Sequence, residues 1–135
     1  MNSSPRPLAI VSGGSRGLGY ESARGLAARG YDLALIAKDL ARLNSAREEL
    51  IAEYSATQSG LSVTTHAADL ESQEATRKVA EEITASLPTP HVMVLAHGVM
   101  SEKMSKTLRT TDAEWRRVMA INLDSVFQLV NGIAP

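Results

Sequence analysis

Short apolar runs alternate with longer amphipathic stretches along the chain, and this alternation constrains its fold more than any other feature. Each run is bounded by glycine, proline or polar residues, which is typical of a strand in a parallel sheet. The predicted strands are Leu8–Val11, Leu33–Ala37, Leu61–Ala67 and His91–Ala96. We therefore predict an α/β fold in a single domain over residues 1–135, with a doubly wound parallel sheet in the order β-α-β-α-β-α-β-α. With about four strands the sheet is incomplete, which would leave the fourth strand as an open edge.

The stretches between the strands carry apolar residues at helical spacing and have recognisable ends. Gly30 terminates the first predicted helix, Gly17–Arg29, and Asp39 is the predicted N-cap of the second. A third helix is predicted from Ser72 to Ser86. The last helix begins at a capping box, in which Thr111 and Glu114 satisfy each other's backbone N–H groups, and it extends towards Ile133. Its predicted apolar stripe is Trp115, Val118, Met119, Val126, Leu129, Val130 and Ile133.

Composition excludes several classes of function. The net charge is −1, so the chain lacks the electrostatic footprint of a nucleic-acid or anionic-membrane binder. No apolar run approaches the roughly 18 residues of a membrane span. The chain has no cysteine, which excludes disulfides and cysteine nucleophiles and suits a cytoplasmic location. His66 and His91 show no metal-site pattern, and we expect His97 to be structural or exposed rather than catalytic.

A glycine-rich turn, SGGSRGLG at residues 12–19, follows the first predicted strand. Glycine permits positive φ and close backbone approach, and the helix that follows offers unpaired N–H groups and a partial positive charge. No Asp or Glu lies between Gly13 and Tyr20, so no carboxylate there repels an anion. The spacing Gly-x-x-x-Gly-x-Gly favours a diphosphate site; the alternative is a plain glycine-rich turn without a ligand.

Three segments resemble the short-chain dehydrogenases/reductases. The turn SGGSRGLG resembles the TGxxxGxG cofactor loop of that family, with Ser12 in the usual threonine place. Asp69 and Leu70 resemble the pair whose Asp contacts the adenine ring, and WRRVMAINL at residues 115–123 resembles the W-x-x-V-M-x-x-N-L helix. The resemblance implies a Rossmann-like fold and hydride transfer between nicotinamide and the carbonyl or alcohol carbon of a small substrate. The cofactor-binding residues that it implies, together with the cation next to the second strand, are Ser12, Gly13, Ser15, Arg16, Gly17, Leu18, Gly19, Lys38, Asp69, Leu70, Ala96 and Gly98.

The end of the second strand bears on the choice of cofactor. In members that use NAD(H), an acid there binds the ribose 2′-OH, and here Ala37 holds that place. Lys38 and Arg16 would attract a 2′-phosphate, which favours NADP(H) over NAD(H). Two alternatives stay open. Both cations could be solvated surface charges, or a one-residue shift could make Asp39 the ribose acid.

Asn122 is the candidate catalytic residue, and the apolar stripe predicts that it faces inward. A buried amide must find hydrogen-bond partners or cost about 1–3 kcal/mol. One interpretation is a core asparagine bonded to the backbone. The resemblance implies another role, in which the family's helix asparagine holds a water in the proton relay to a catalytic lysine. The two interpretations are compatible.

The chain departs from the family pattern in two respects. After the fourth strand the family carries Asn-Asn-Ala-Gly, and this chain has LAHG at residues 95–98, so only Gly98 matches. The family's Ser and Tyr-x-x-x-Lys are not found either: none of the three tyrosines has lysine four residues on, and the chain ends at Pro135 where the fifth strand would begin. An alternative function is therefore a catalytically inactive dinucleotide-binding or partner-binding module. The last helix is a dimerisation surface in the family, which leaves a homo-oligomer open.

Overall fold

A single parallel sheet organises the computed structural model, which describes residues 4–102 and 106–135. Its strands are β1 Leu8–Ser12, β2 Asp32–Ala37, β3 Val63–Ala67 and β4 Val92–Leu95, in the spatial order β3-β2-β1-β4. The helices are α1 Gly17–Ala28, α2 Leu40–Tyr54, α3 Gln73–Ser86, α4 Asp112–Met119 and α5 Ser125–Ile133. The predicted Rossmann-like α/β fold is confirmed. Within the described ranges, no helix is both long and apolar enough to cross a membrane.

The central strands are apolar throughout because helices cover both faces of the sheet. Leu8 and Ile10 of β1 point to the face that packs against α3 and α5. Ala9 and Val11, which alternate with them, point to the face that packs against α1 and α2. The segments that leave the carboxyl ends of the strands consequently meet at one edge of the sheet, between the two helix layers.

β4 forms one edge of the sheet, as expected for an incomplete sheet. It pairs with β1, and all four of its residues are half-buried, whereas every residue of β1 is buried. An edge strand presents unpaired backbone groups along its outer side.

A π-helical turn, Ala120–Asp124, joins α4 to α5. The N–H of Ser125 donates to the carbonyl of Ala120, five residues back. The predicted stripe assumed an uninterrupted α-helix and is partly correct: Leu129 and Ile133 are buried, but Trp115 and Val130 are exposed. Ser125, which the stripe did not include, is buried. Asn122, which the stripe predicts to be buried, is exposed, although its amide points to the chain after β4, where it bonds the backbone of Val99.

The capping box predicted at the start of α4 is half correct. Thr111 Oγ1 accepts the N–H of Glu114 at 3.2 Å. The carboxylate of Glu114, however, accepts the N–H of Glu102 at 2.9 Å and the Nε–H of Arg117 at 3.2 Å. The charged guanidinium of Arg117 is the stronger donor, and it lowers the pKa of Glu114 to about 2. Glu114 thus attaches the segment after β4 to α4.

Candidate functional site

A cleft of about 860 Å³ opens at the carboxyl ends of the strands. Its walls include Gly13 after β1, Lys38 after β2, Asp69 after β3 and Ala96 after β4. The chain passes from β1 to β2 on one side, whereas β4 lies on the other side of β1, so the strand order reverses here. Doubly wound sheets bind ligands at such a switch point, and the volume is typical of a cofactor site.

The glycine turn brings bare backbone to this cleft. A Cβ on Gly19 would lie 2.1 Å from the carbonyl oxygen of Gly13, so the turn can close only with glycine at that place. Gly17 has a φ of +58°, and no atom of the described residues lies within 4 Å of the position of its missing Cβ. The turn is therefore a backbone cradle that is open on the cleft side, which fits a diphosphate group.

The amino end of α1 opens on the cleft without a side-chain cap among the described residues. By contrast, Asp39 caps α2, Ser72 caps α3 and Thr111 caps α4. The first turn of α1 contains no acidic residue. The N–H groups of this turn are thus available to an anion, which the helix dipole also favours. The predicted capping role of Asp39 is confirmed by its Oδ1, which accepts the N–H of Arg42 at 3.1 Å.

Cationic side chains outnumber acidic ones in the cleft lining, which contains Arg16, Lys38, Arg42 and Arg117 beside Asp39, Asp69 and Glu71. Lys38 Nζ lies 3.3 Å from Asp69 Oδ2, and the two side chains are 76% and 43% exposed. An ion pair this exposed contributes only about 0–1 kcal/mol, so a phosphate group can compete for Lys38. Arg16 is exposed at the N-cap position of α1 and has no ion pair within the described part of the chain.

The structure brings the predicted cofactor-binding residues together, with one exception. Ser12 does not line the cleft; it is fully buried beneath it, with its Oγ 2.5 Å from His97 Nδ1. Contact of the others with a cofactor stays a prediction. The predicted residues that line the cleft are Gly13, Ser15, Arg16, Gly17, Leu18, Gly19, Lys38, Asp69, Leu70, Ala96 and Gly98.

Two arginines in the cleft lining were not predicted from the sequence. Arg42 lies in the first turn of α2, four residues after Lys38, and the helical spacing after the Asp39 cap could have placed it there. Arg117 lies in the cleft lining, and its Nη2 donates to the carbonyl of Met100 at 3.3 Å in the chain after β4; no local pattern indicates this. Its side chain also contacts Glu114, so its charge is partly balanced. The other lining residues not predicted are Ala37, Asp39, Ala68, Glu71, His97, Val99 and Ile121.

Asn122 is not in the cleft lining but binds a segment that is. Its Oδ1 accepts the N–H of Val99 at 2.8 Å, and its Nδ2 donates to the carbonyl of Val99 at 2.8 Å. The amide is thus bonded to the backbone as one interpretation predicted, although it lies on an exposed face. The pair of bonds ties the chain after β4 to the π-helical turn.

A family model described as short chain dehydrogenase matches residues 7–135. The chain belongs to the short-chain dehydrogenase family. Among curated relatives, galactitol 2-dehydrogenase (L-tagatose-forming) of Cereibacter sphaeroides is 35% identical over 119 residues, which cover 88% of this chain and 42% of that protein. Very-long-chain 3-oxoacyl-CoA reductase of Eremothecium gossypii is 28% identical over 94% of this chain and 35% of its own length. The chain therefore spans less than half the length of these short-chain dehydrogenase relatives.

Solved structures of this short-chain dehydrogenase family share the fold. A metagenomic short-chain oxidoreductase in complex with NADP superposes with a TM-score of 0.83 at 28% identity, over 94% of this chain and 54% of that one. An alcohol dehydrogenase from the archaeon Thermococcus sibiricus, complexed with 5-hydroxy-NADP, has a TM-score of 0.83 at 26% identity, over 94% and 51%. The similarity thus covers nearly all of this chain and about half of each solved protein.

Proposed function

We propose that this chain is the NADP(H)-binding portion of an oxidoreductase that transfers hydride between nicotinamide and a carbonyl or alcohol carbon. The uncapped amino end of α1 is the main support, because it opens under a backbone cradle at the switch point of the sheet. When bound, the dinucleotide supplies the hydride chemistry. The amides of the turn would hold its diphosphate, and Gly98 and Val99 would line another wall of the same cleft.

The charges at the end of β2 support NADP(H) rather than NAD(H). β2 ends at Ala37, so no carboxylate stands at its last residue to bind a ribose 2′-OH. Asp39, the alternative ribose acid, is engaged at the start of α2. Arg16, Lys38 and Arg42 can surround a 2′-phosphate. The complexes of two related solved structures with NADP and 5-hydroxy-NADP agree with this choice.

Titration of the purified protein with NADPH and with NADH tests the proposal directly. Nucleotide fluorescence and thermal stability report binding, since a ligand that binds only the folded state stabilises it by mass action. We expect saturable binding of NADPH that is tighter than that of NADH by at least about tenfold. Absence of saturable binding for both nucleotides would refute a dinucleotide site.

Two single substitutions test the recognition of the 2′-phosphate. Arg16→Ala and Lys38→Ala are each expected to weaken NADPH binding by about tenfold and to change NADH binding by less than about twofold, because only NADPH carries the group that they contact. Arg47→Ala is the matched control, since Arg47 is an exposed cation of α2 outside the cleft lining. Equal losses for both nucleotides would show that these cations act on the shared diphosphate or on folding.

A second candidate is a dinucleotide-binding module that does not transfer hydride. It is favoured by the absence of a Tyr-x-x-x-Lys pair from residues 1–135. NADPH binding together with no NADPH oxidation over a panel of small aldehydes and ketones would support it. The proton-relay role of Asn122 belongs to the first candidate and stays a prediction: Asn122→Ala should lower turnover more than NADPH affinity.

Two further predictions concern the oligomeric state and the cellular location of the protein. Leu123, Phe127 and Val130 are exposed on the segment that the resemblance implies as a dimerisation surface. A homo-oligomer through this helix stays a prediction, which sedimentation equilibrium can test. A cytoplasmic location also stays a prediction, based on the absence of cysteine.

A further inference from the structure

The segment after β4 packs directly on the glycine turn. A Cβ on Gly13 would lie 2.9 Å from the carbonyl carbon and oxygen of Ala96 and from the nitrogen of His97. Ala96, His97, Gly98 and Val99 also form one wall of the cleft. Any displacement of this segment, which we call the β4 exit segment (residues 96–99), therefore changes the shape of the cleft.

His97 connects the β4 exit segment to two other parts of the fold. Its Nδ1 lies 2.5 Å from Ser12 Oγ at the end of β1. Its Nε2 lies 2.6 Å from Ser125 Oγ and 3.1 Å from the carbonyl oxygen of Ile121. Ser12 is 0% exposed and Ser125 is 1% exposed, so the imidazole joins two buried hydroxyl groups.

The partners of His97 determine where its hydrogen lies. A carbonyl oxygen can only accept, so Nε2 carries the hydrogen that faces Ile121 and Ser125. Nδ1 then accepts from the hydroxyl of Ser12, and the hydroxyl of Ser125 donates to the Ile121 carbonyl at 2.6 Å. A neutral imidazole with hydrogen on Nε2 satisfies the whole cluster, and burial lowers the pKa of His97, which favours this neutral form.

The π-helical turn makes the contact with Ile121 available. In a regular α-helix the carbonyl of residue 121 would accept the N–H of residue 125. Here the N–H of Ser125 donates to Ala120, so the carbonyl of Ile121 is not committed to that amide. Turns of this kind are common at functional sites, where they redirect backbone groups.

We propose that His97 is a positioning residue that holds the β4 exit segment in the geometry that dinucleotide binding requires. The inference rests on the proposed function for its effect on affinity. The family pattern that the sequence resembles has alanine at position 97, a residue that could not form the imidazole bridge from Ser12 to Ser125. Without the bridge, the segment loses the side-chain link between the end of β1 and the start of α5. It keeps the Asn122 contacts at Val99 and one backbone bond, from the Ala96 N–H to the Ser12 carbonyl.

Binding measurements on a matched set of variants test the effect on affinity. We expect His97→Ala to weaken NADPH binding by at least about tenfold. His97→Gln places an amide nitrogen near the position of Nε2 and should recover binding to within about threefold of the wild type. His66→Ala is the control, because His66 is also half-buried but bonds only Thr64 on β3, away from the cleft, among the described residues. Unchanged NADPH affinity in folded His97→Ala, or no recovery in His97→Gln, would overturn the proposal.

Hydrogen exchange in the nucleotide-free protein separates this inference from the proposed function. The N–H of Ala96 donates to the Ser12 carbonyl at 3.1 Å, and the N–H of Ala68 donates to the Ala37 carbonyl at 2.9 Å in a part of the sheet remote from His97. In His97→Ala, we expect the Ala96 amide to lose about tenfold of its protection from hydrogen exchange and the Ala68 amide to lose none. If the wild type binds no dinucleotide, the proposed function fails and exchange alone decides whether His97 positions the segment. Equal protection of Ala96 in both proteins would then refute that role.

A measurement on the wild type covers the case in which His97→Ala does not fold. Imidazole ¹⁵N chemical shifts of His97 at neutral pH should show a neutral ring with hydrogen on Nε2. Hydrogen on Nδ1 alone would leave Nε2 with none to donate to the Ile121 carbonyl, and this result would overturn the proposal.

Discussion

Gly17→Asp is expected to weaken NADPH binding by at least about a hundredfold, or about 2.7 kcal/mol, while the protein stays folded. The space beside Gly17 faces the open cleft, so a side chain there projects into the cradle rather than into the core. A carboxylate at this place occupies the anion site at the amino end of α1 and repels the diphosphate. Fluorescence titration with NADPH measures the effect.

Two controls separate charge from backbone strain in this experiment. Gly17→Asn has nearly the same shape without the charge, and we expect it to retain at least about ten times more affinity than Gly17→Asp. Gly60→Asp reproduces the strain elsewhere, since Gly60 has a φ of +82° and no described atom within 4 Å of its missing Cβ. If Gly60→Asp weakened NADPH binding as much as Gly17→Asp, the loss would reflect general destabilisation and not the anion site.

Gly19→Ala is expected to lower the free energy of unfolding by about 3 kcal/mol. Its Cβ would lie 2.1 Å from the carbonyl oxygen and 2.6 Å from the carbonyl carbon of Gly13, and both are backbone atoms that cannot rotate away. The turn between β1 and α1 must open to admit the methyl group, which disturbs the contact of Gly13 with Ala96. Urea denaturation, compared with the wild type at equal slope, measures the loss.

Gly25→Ala is the matched substitution in the same helix. Its Cβ would meet only the Nη1 of Arg29, at 3.4 Å, which is the end of a flexible side chain. Because alanine is a better helix former than glycine, we expect this variant to gain up to about 1 kcal/mol. A Gly19→Ala protein with the stability of Gly25→Ala would show that the close approach in the glycine turn does not constrain the fold.

The two glycine positions illustrate what can be predicted from local sequence. Strands, caps and tight turns depend on residues close together in the chain, so apolar runs located the four strands, and Asp39 and Ser72 marked the starts of two helices. The turn at residues 12–19 indicated an anion site, and all of its residues except Ser12 and Gly14 line the cleft. The family assignment made from the same segments is confirmed by the match over residues 7–135.

Contacts between side chains and residues far along the chain could not be predicted from the sequence. Glu114 was expected to complete a capping box, but its carboxylate accepts the N–H of Glu102, 12 residues earlier in the chain. Lys38 was expected to attract a 2′-phosphate or to be solvated, and Asp69, two residues after β3, lies 3.3 Å from its Nζ. The buried Oγ of Ser12 bonds His97, which lies 85 residues further along the chain. The spacing of residues along the chain does not indicate these contacts.

By itself, the sequence determined the α/β class, the order of strands and helices and the backbone cradle, because hydrophobic period and glycine geometry act over a few neighbouring residues. Only the tertiary structure decided the register of the last helix and the partners of the imidazole. The π-helical turn adds one residue to a helical turn, and this small change leaves the Ile121 carbonyl available to His97. Such a choice depends on the packing of α5 against α3 and the end of β4, which brings together groups that are far apart in the chain.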